Sequence, residues 1–316
     1  MIILLLLLIT LFVSCLIIIP IFYTQTDNYY TRIETPSSAI HPVTKHSHLN
    51  ASHWTEIGRR PYQEDRYTIS QIGEMDDHTP ISFYGMFDGH VGDKASQFCK
   101  DHLHIHLQNS STFIDGDIST ALVDTFIDID KEFVDKGEPD GTTSCVCVII
   151  GKDKIICANA GDSRAIVVKR DGSAVAMSID HKPDLPSEKK RIINLGGYIS
   201  HHGVWRVNGN MAVSRSIGDV ALKPYIIPTP DITEYTIDKD GNDSFLVIAS
   251  DGLWDVMTNS YVSNFVRNQT MGDVDDESLK HMGRKLCLEA ERLGSGDNTS
   301  VIVVALRDSF YFADIL

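Results

Sequence analysis

The chain has 316 residues, 42% hydrophobic and 22% charged, with 22 Gly and 11 Pro; this balance excludes disordered, collagenous and low-complexity proteins and fits one large domain or two small ones. Lys+Arg 28 against Asp+Glu 43 leaves a formal charge of -15, which argues against nucleic acid as a partner and leaves acidic side chains free to gather cations. The six cysteines (Cys15, Cys99, Cys145, Cys147, Cys157, Cys287) form neither a dense framework nor a CxxC pair, so a reducing compartment is expected rather than a disulfide scaffold or a zinc ribbon.

In chain order, the first element is an apolar run. Residues 2–23 carry no charge, and only Thr10, Ser14 and Pro20 interrupt them; at about 1.5 Å rise per residue the run spans a hydrocarbon core of roughly 30 Å. A cleaved signal peptide would need a basic leading region, a shorter apolar core and a small-residue cleavage site, so the run predicts an uncleaved transmembrane helix over 1–23. A polar linker is expected over 24–50, marked by Pro36, Ser37, Ser38 and Pro42, and a globular domain over 51–310. There the pattern predicts strands at Ser82–Phe87, Cys145–Ile150, Lys154–Ala158, Arg164–Lys169, Phe245–Ala249 and Ser300–Leu306. The hairpin-length connection Gly151-Lys152-Asp153, and the next strand so soon after Gly161 and Asp162, predict antiparallel pairing of consecutive strands. Apolar residues at three-and-four spacing predict helices at Asp93–Leu107, Ile118–Phe133, Ser187–Leu195, Ser260–Val266 and Glu277–Arg292. Consecutive strands with helices between them predict an α+β fold, antiparallel sheets covered by helices.

Four acidic residues fall at predicted strand ends beside a turn-forming residue. Asp88 follows SFYGMF, Asp251 follows FLVIAS, Asp162 sits between two strands after Gly161, and Asp297-Asn298 precedes TSVIVVAL. Each alone reads as a common turn. Together, on one rim of packed sheets, the carboxylates would repel unless cations neutralise them. Oxygen donors with one nearby His (His90) and no adjacent Cys favour Mg²⁺ or Mn²⁺ over Zn²⁺.

The residues Gly58-Arg59-Arg60-Pro61-Tyr62-Gln63-Glu64-Asp65, Phe87-Asp88-Gly89-His90, Asp140-Gly141-Thr142-Thr143, Gly161-Asp162-Ser163-Arg164, Asp180-His181-Lys182-Pro183, Trp205-Arg206-Val207-Asn208-Gly209 through Ser214-Arg215-Ser216-Ile217-Gly218-Asp219, Ser250-Asp251-Gly252-Leu253-Trp254-Asp255 and Asp297-Asn298-Thr299-Ser300 occur in this order. The order resembles the metal-dependent, type-2C serine/threonine protein phosphatases over roughly residues 54–306. The resemblance implies a β-sandwich of two antiparallel sheets flanked by helices (αββα) with two Mg²⁺ or Mn²⁺ ions at one end. It implies that Asp88 bridges the ions, that Glu64 and the Gly89 carbonyl serve one and Asp251 with Asp297 the other. Asp65 and Asp255 would orient water around the ions, and Asp162 with Asp251 would form a weaker third metal site. The ions would activate a water for in-line attack on phosphorus; Arg60 would hold the phosphoryl group, and His90 would protonate the departing Ser or Thr oxygen.

Other features take ordinary readings. His102, His104 and His106 read as a solvated helix face, since only His102 and His106 share a side and no acidic partner is evident. The sequons at Asn50, Asn109, Asn242, Asn268 and Asn298 read as chance tripeptides, Asn298 standing inside the metal motif. Met257, Trp254 and Tyr261 read as core or helix-packing residues. The family's usual Met before the Glu-Asp pair is Gln63 here, and Val91 stands where Gly or Ala is frequent. The apolar N-terminus with Gly196–Ser200 and Gly203–Val207 resembles the membrane-anchored branch associated with the endoplasmic reticulum and stress-kinase signalling, which implies phosphoserine/phosphothreonine proteins and stress-activated kinases as partners. Arg32 and Lys45 follow the apolar run and only the α-amino group precedes it, so the catalytic domain is expected in the cytosol. The alternatives are a pseudophosphatase that binds phosphoproteins without turnover and a two-metal phosphodiesterase; intact Asp88, Asp251 and Asp297 oppose the first, and the acidic charge opposes the second.

Overall fold

The computed structural model describes residues 44–46, 49–75, 77–270 and 276–307. The apolar run 2–23, Cys15 and most of the expected linker lie outside the described residues, and among the described residues no helix is long and apolar enough to cross a membrane. The last part of the expected linker is sheet: Thr44–His46 (β1) pairs antiparallel with Leu49–Glu56 (β2), so the folded domain begins before residue 51.

Two antiparallel sheets pack face to face. The six-stranded sheet runs β1, β2, β16 (Thr299–Ala305), β15 (Asp243–Ala249), β9 (Arg164–Lys169) and β10 (Ala174–Ala176). The five-stranded sheet runs β14 (Asp231–Thr236), β8 (Lys154–Ala160), β7 (Ser144–Ile150), β4 (Pro80–Phe87) and β3 (Arg66–Glu74). The central strands read as unbroken apolar runs because both of their faces are covered. Along β7, Cys145, Cys147 and Ile149 join the core between the sheets, while Val146 and Val148 join the core under the helices.

Helices close both outer faces. On the five-stranded sheet lie α1 (Lys94–Asn109), α2 (Ser111–Ile114) and α3 (Ile118–Val134). Asp117 starts α3 by accepting the Thr120 amide at 3.0 Å, and Leu122, Phe126, Ile129 and Phe133 recur at three and four to form its buried face. Phe126 is fully buried, so truncating it to Ala removes about 3–5 kcal/mol. The six-stranded sheet is covered by α5 (Asp251–Trp254), α6 (Asn259–Gln269), α7 (Asp276–Lys280) and α8 (Met282–Arg292). The expected αββα sandwich is what the chain forms.

Three expectations need correction. β8 and β9, consecutive in sequence, do not pair; β9 lies between β15 and β10, so the Gly161–Ser163 turn carries the chain from one sheet to the other. The single helix expected at Glu277–Arg292 breaks at His281, and both Leu279 and Met282 are buried against the sheet. The three histidines of α1 are half-buried rather than solvated, with His102 packed on Phe98 at 4.4 Å, His104 against Phe83 at 5.9 Å, and His106 paired with Glu132 at 3.3 Å. Trp254 and Met257 are core, and Tyr261, though exposed, ties α6 to α8 through Glu289. Between β10 and β14, α4 (Pro186–Asn194) precedes a separate hairpin, β11 (Ile199–His202) with β12 (Val204–Val207). A three-stranded sheet, β5 (Gly89–His90), β6 (Gly141–Thr142) and β13 (Ile217–Gly218), joins three distant segments beside the rim.

Candidate active site

The acidic residues gather at one end of the sandwich because of how strands end there. Asp88 follows β4, whose last residue Phe87 pairs with Arg66 at the start of β3. Asp162 lies in the β8–β9 crossover, Asp251 follows β15, and Asp297 precedes β16. Carboxylate oxygens of Asp88, Asp162 and Asp251 all lie within 4.8 Å of one another. Thr143 couples two of these turns: its amide donates to the Asp88 carbonyl at 2.9 Å, its hydroxyl accepts from the Asp88 amide at 3.2 Å, and the same hydroxyl meets Ser163 Oγ at 2.8 Å. Beside the three carboxylates is a cavity of about 280 Å³, lined by Arg60, Glu64, Gly89, His90 and Asp297 as well. Asp65, which is buried, and Asp255, which is exposed, do not line it.

The charges are out of balance. Burial, followed by the charges of Asp251, Asp65, Asp162 and Asp297, pushes Asp88 well above the usual carboxylate range. Burial and then Asp162 and Asp255 do the same to Asp251, with Lys182 opposing. Burial also raises Asp65, to about 6, against the hydroxyls of Ser250 and Ser300, and it raises Glu64 and Asp255. Positive charge brought in from outside the chain would favour the ionised form of each of these groups. The donor set consists of hard oxygens, which suits Mg²⁺ or Mn²⁺.

Arg60 and Lys182 each take one rim carboxylate, whereas Arg206, which also lines the cavity, donates to the Asn210 carbonyl. Arg60 Nη2 bonds Asp297 Oδ2 at 2.5 Å, with the rest of the guanidinium half-exposed toward the cavity. Lys182 Nζ bonds Asp162 Oδ2. Asp162 is thus packed against Asp88 and Asp251, the latter its expected partner for a third ion, and carries an ammonium. The flanking Asp180 and His181 clamp the same region: Asp180 takes Arg164 in a two-pronged bond at 2.9 and 2.7 Å, and His181 Nδ1 accepts the Gly161 amide at 3.2 Å. His90 also lies at the cavity, with Nε2 2.8 Å from Asp219 Oδ2.

Neither departure from the family pattern costs a ligand. Gln63 donates to Thr55 Oγ1 at 2.6 Å and accepts the Asp65 amide at 3.1 Å, which fixes the loop carrying Glu64. Val91 has φ +65 and is 69% exposed, a backbone that disfavours a branched residue and suits Gly. Asn298 spends its whole side-chain amide inside the protein: Oδ1 accepts the Glu64 amide at 2.8 Å, and Nδ2 donates to the carbonyls of Ile57 and Tyr62. Sequence reasoning assigned no role to Thr143, Lys182, Asp219 or Arg206, all quoted within motifs, and it missed the Met211–Val213 edge of the cavity. Only their place inside motifs signalled them.

The profile of the protein phosphatase 2C family matches residues 57–299. This chain belongs to that family. It is 41% identical over 256 residues to "Probable protein phosphatase 2C 11" of Arabidopsis thaliana, covering 80% of this chain and 65% of that one. It is 39% identical over 250 residues to "Probable protein phosphatase 2C 45" of Oryza sativa subsp. japonica, with 78% and 84% covered. The chain thus spans less than two thirds of the Arabidopsis relative's length. Among solved structures, a C. elegans sex determining protein matches with a TM-score of 0.73 at 26% identity over 84% of this chain and 66% of that one. A serine-threonine phosphatase 2C from Toxoplasma gondii matches with a TM-score of 0.69 at 27% identity over 84% and 96%. The described residues form a metal-dependent protein phosphatase domain of the 2C type, whose cofactor is Mg²⁺ or Mn²⁺.

Proposed function

We propose that this protein phosphatase 2C removes phosphate from phosphoserine and phosphothreonine of proteins while anchored to a membrane through residues 2–23. The observation that carries the chemistry is the convergence of Asp88, Asp162 and Asp251 with His90 and Arg60 on one cavity. Asp88, Asp251, Asp297, Glu64 and the Gly89 carbonyl are the groups to hold two ions, and Asp162, whose Oδ2 carries Lys182, is the group to hold a third with Asp251. Bound Mg²⁺ or Mn²⁺ supplies Lewis-acid activation of water and neutralises charge on the phosphoryl oxygens. Arg60 presents the guanidinium donors left over from Asp297 to those oxygens. His90 gives a proton to the departing oxygen. Phosphate release from a phosphothreonine peptide in Mn²⁺, abolished by EDTA, is the expected result; phosphodiester cleavage, or binding without release, would overturn the reading. A truncated form should start at Ile40, since starting at 51 deletes β1 and part of β2.

The anchor is supported by the uncharged run itself, and a cytosolic face by two properties of the domain. Cys99, Cys145, Cys147, Cys157 and Cys287 are all free, and the Asn298 amide is consumed by internal hydrogen bonds. Resemblance to the endoplasmic-reticulum branch motivates that membrane and stress-activated kinases as partners. Protease added to intact microsomes should digest the domain; full protection would place it in the lumen.

A further inference from the structure

The small sheet β5–β6–β13 lays residues 89–90, 141–142 and 217–218 side by side. Its consequence is a contact between residues 129 apart, His90 Nε2 with Asp219 Oδ2 at 2.8 Å. Asp219 is 4% exposed, sits at φ +53, donates its amide to the Asp140 carbonyl at 3.0 Å and accepts from the Ser216 hydroxyl. It is therefore held from both ends. The approach leaves no slack: a Cβ on Gly141 would stand 2.3 Å from both Asp219 Oδ2 and His90 Nε2. The other ring nitrogen, Nδ1, has no hydrogen-bond partner among the described residues, and His90 lines the cavity.

We infer that Asp219 is the positioning residue for His90: it accepts Nε2–H, fixes the ring, and so makes Nδ1 the nitrogen that serves the leaving group. This rests on the phosphatase reading above. When the bond between phosphorus and the seryl or threonyl oxygen breaks, its electron pair stays on that oxygen, which takes the proton from Nδ1; the imidazole is left neutral with Nε2–H still on Asp219. A carboxylate behind an imidazole selects tautomer and orientation in this way wherever the ring must present one nitrogen outward.

The test uses the full chain with Mg²⁺ and its ¹⁵N-labelled histidines, the His90 signals being those absent from His90→Gln. In the wild type at a pH where the ring is neutral, Nε2 should carry the hydrogen and Nδ1 should be bare; in Asp219→Ala the two tautomers should mix. Asp219→Ala should lower kcat on a phosphothreonine peptide by roughly tenfold or more with KM within about threefold, and should slow an activated aryl phosphate, whose leaving group needs no proton, by less than about threefold. Combined with His90→Gln it should add nothing further. An Nδ1–H tautomer in the wild type, equal slowing of both esters, or additive losses would overturn the assignment. The wild-type spectrum decides it even if the alanine variant fails to fold. A wild type that releases no phosphate from either ester counts against the phosphatase reading instead, and leaves the spectrum to judge Asp219.

Discussion

Two of the regions in which this protein buries carboxylates treat them oppositely. Glu188 on α4 is 1% exposed; burial alone would raise it, but Arg215 and Arg191, each 2.8 Å away, outweigh burial and bring it down to about 2. Arg215 also reaches Asp231 at 2.7 Å, and His181 reaches it at 3.1 Å, so Asp231 too is held low against burial. At the rim, burial and neighbouring carboxylates push Asp88 and Asp251 the same way, upward. A cluster that contains its own cations is complete and serves the fold. One whose carboxylates outnumber its cations stores electrostatic strain that binding of further cations relieves, which makes it a receptor.

The largest test removes one rim charge. Asp251→Asn should cut turnover more than about 100-fold, yet in EDTA its melting temperature should equal or exceed that of the wild type, because a repelling charge is gone. The rise in melting temperature on adding Mn²⁺ should shrink with it. A clear loss of stability in EDTA would mean the rim is not strained. In the other cluster, Glu188→Gln should do the reverse, costing about 2 kcal/mol in stability because two half-buried guanidiniums lose their counter-charge, with kcat little changed in the folded fraction. Glu188 also sets a pH window: its folded value lies below its ordinary 4.5, so its contribution is present above about 4.5 and is lost as pH falls toward about 2. Acid titration followed by circular dichroism should show that slope in the wild type and not in the Gln variant.

Two smaller tests probe the cations at the rim. Arg60→Ala should raise KM about tenfold with kcat within about threefold, since it removes a phosphate contact shared by ground and transition states; an unchanged KM would mean the guanidinium serves Asp297 alone. Lys182→Met deletes the ammonium on Asp162. The metal-free chain should lose roughly 1 kcal/mol, and saturating Mn²⁺ should recover most of it, whereas a loss that Mn²⁺ leaves untouched would make Lys182 part of the structural cluster instead.

Strands buried on both faces announced themselves. β7, β15 and β16 are apolar runs without interruption, and the predicted segments fall within a residue or two of the observed ones. β2, β3 and β14 went unread for different reasons. β14 alternates exposure along an edge, β3 is mostly half-exposed, and β2 buries Ser52 and His53, polar residues whose burial is set by the helix and strand packed over them. The rim acids were legible as a set because each sits in a turn at a strand end.

What the sequence alone determined was local: the period of each central strand, the turn residues that place Asp88, Asp162, Asp251 and Asp297, and the donor chemistry that selects a hard divalent cation. What only the tertiary structure decided was partnership. Arg60 meets Asp297 across 237 residues, His90 meets Asp219 across 129, and Lys182 meets Asp162 across 20. The first follows from β2 lying beside β16, the second from the small β5–β6–β13 sheet and the third from the β8–β9 crossover. The physical reason is range: side-chain period and turn preference act over a few residues, while the charge state of a carboxylate depends on burial and on every ion within several ångströms, which the chain sets only when its distant segments come together.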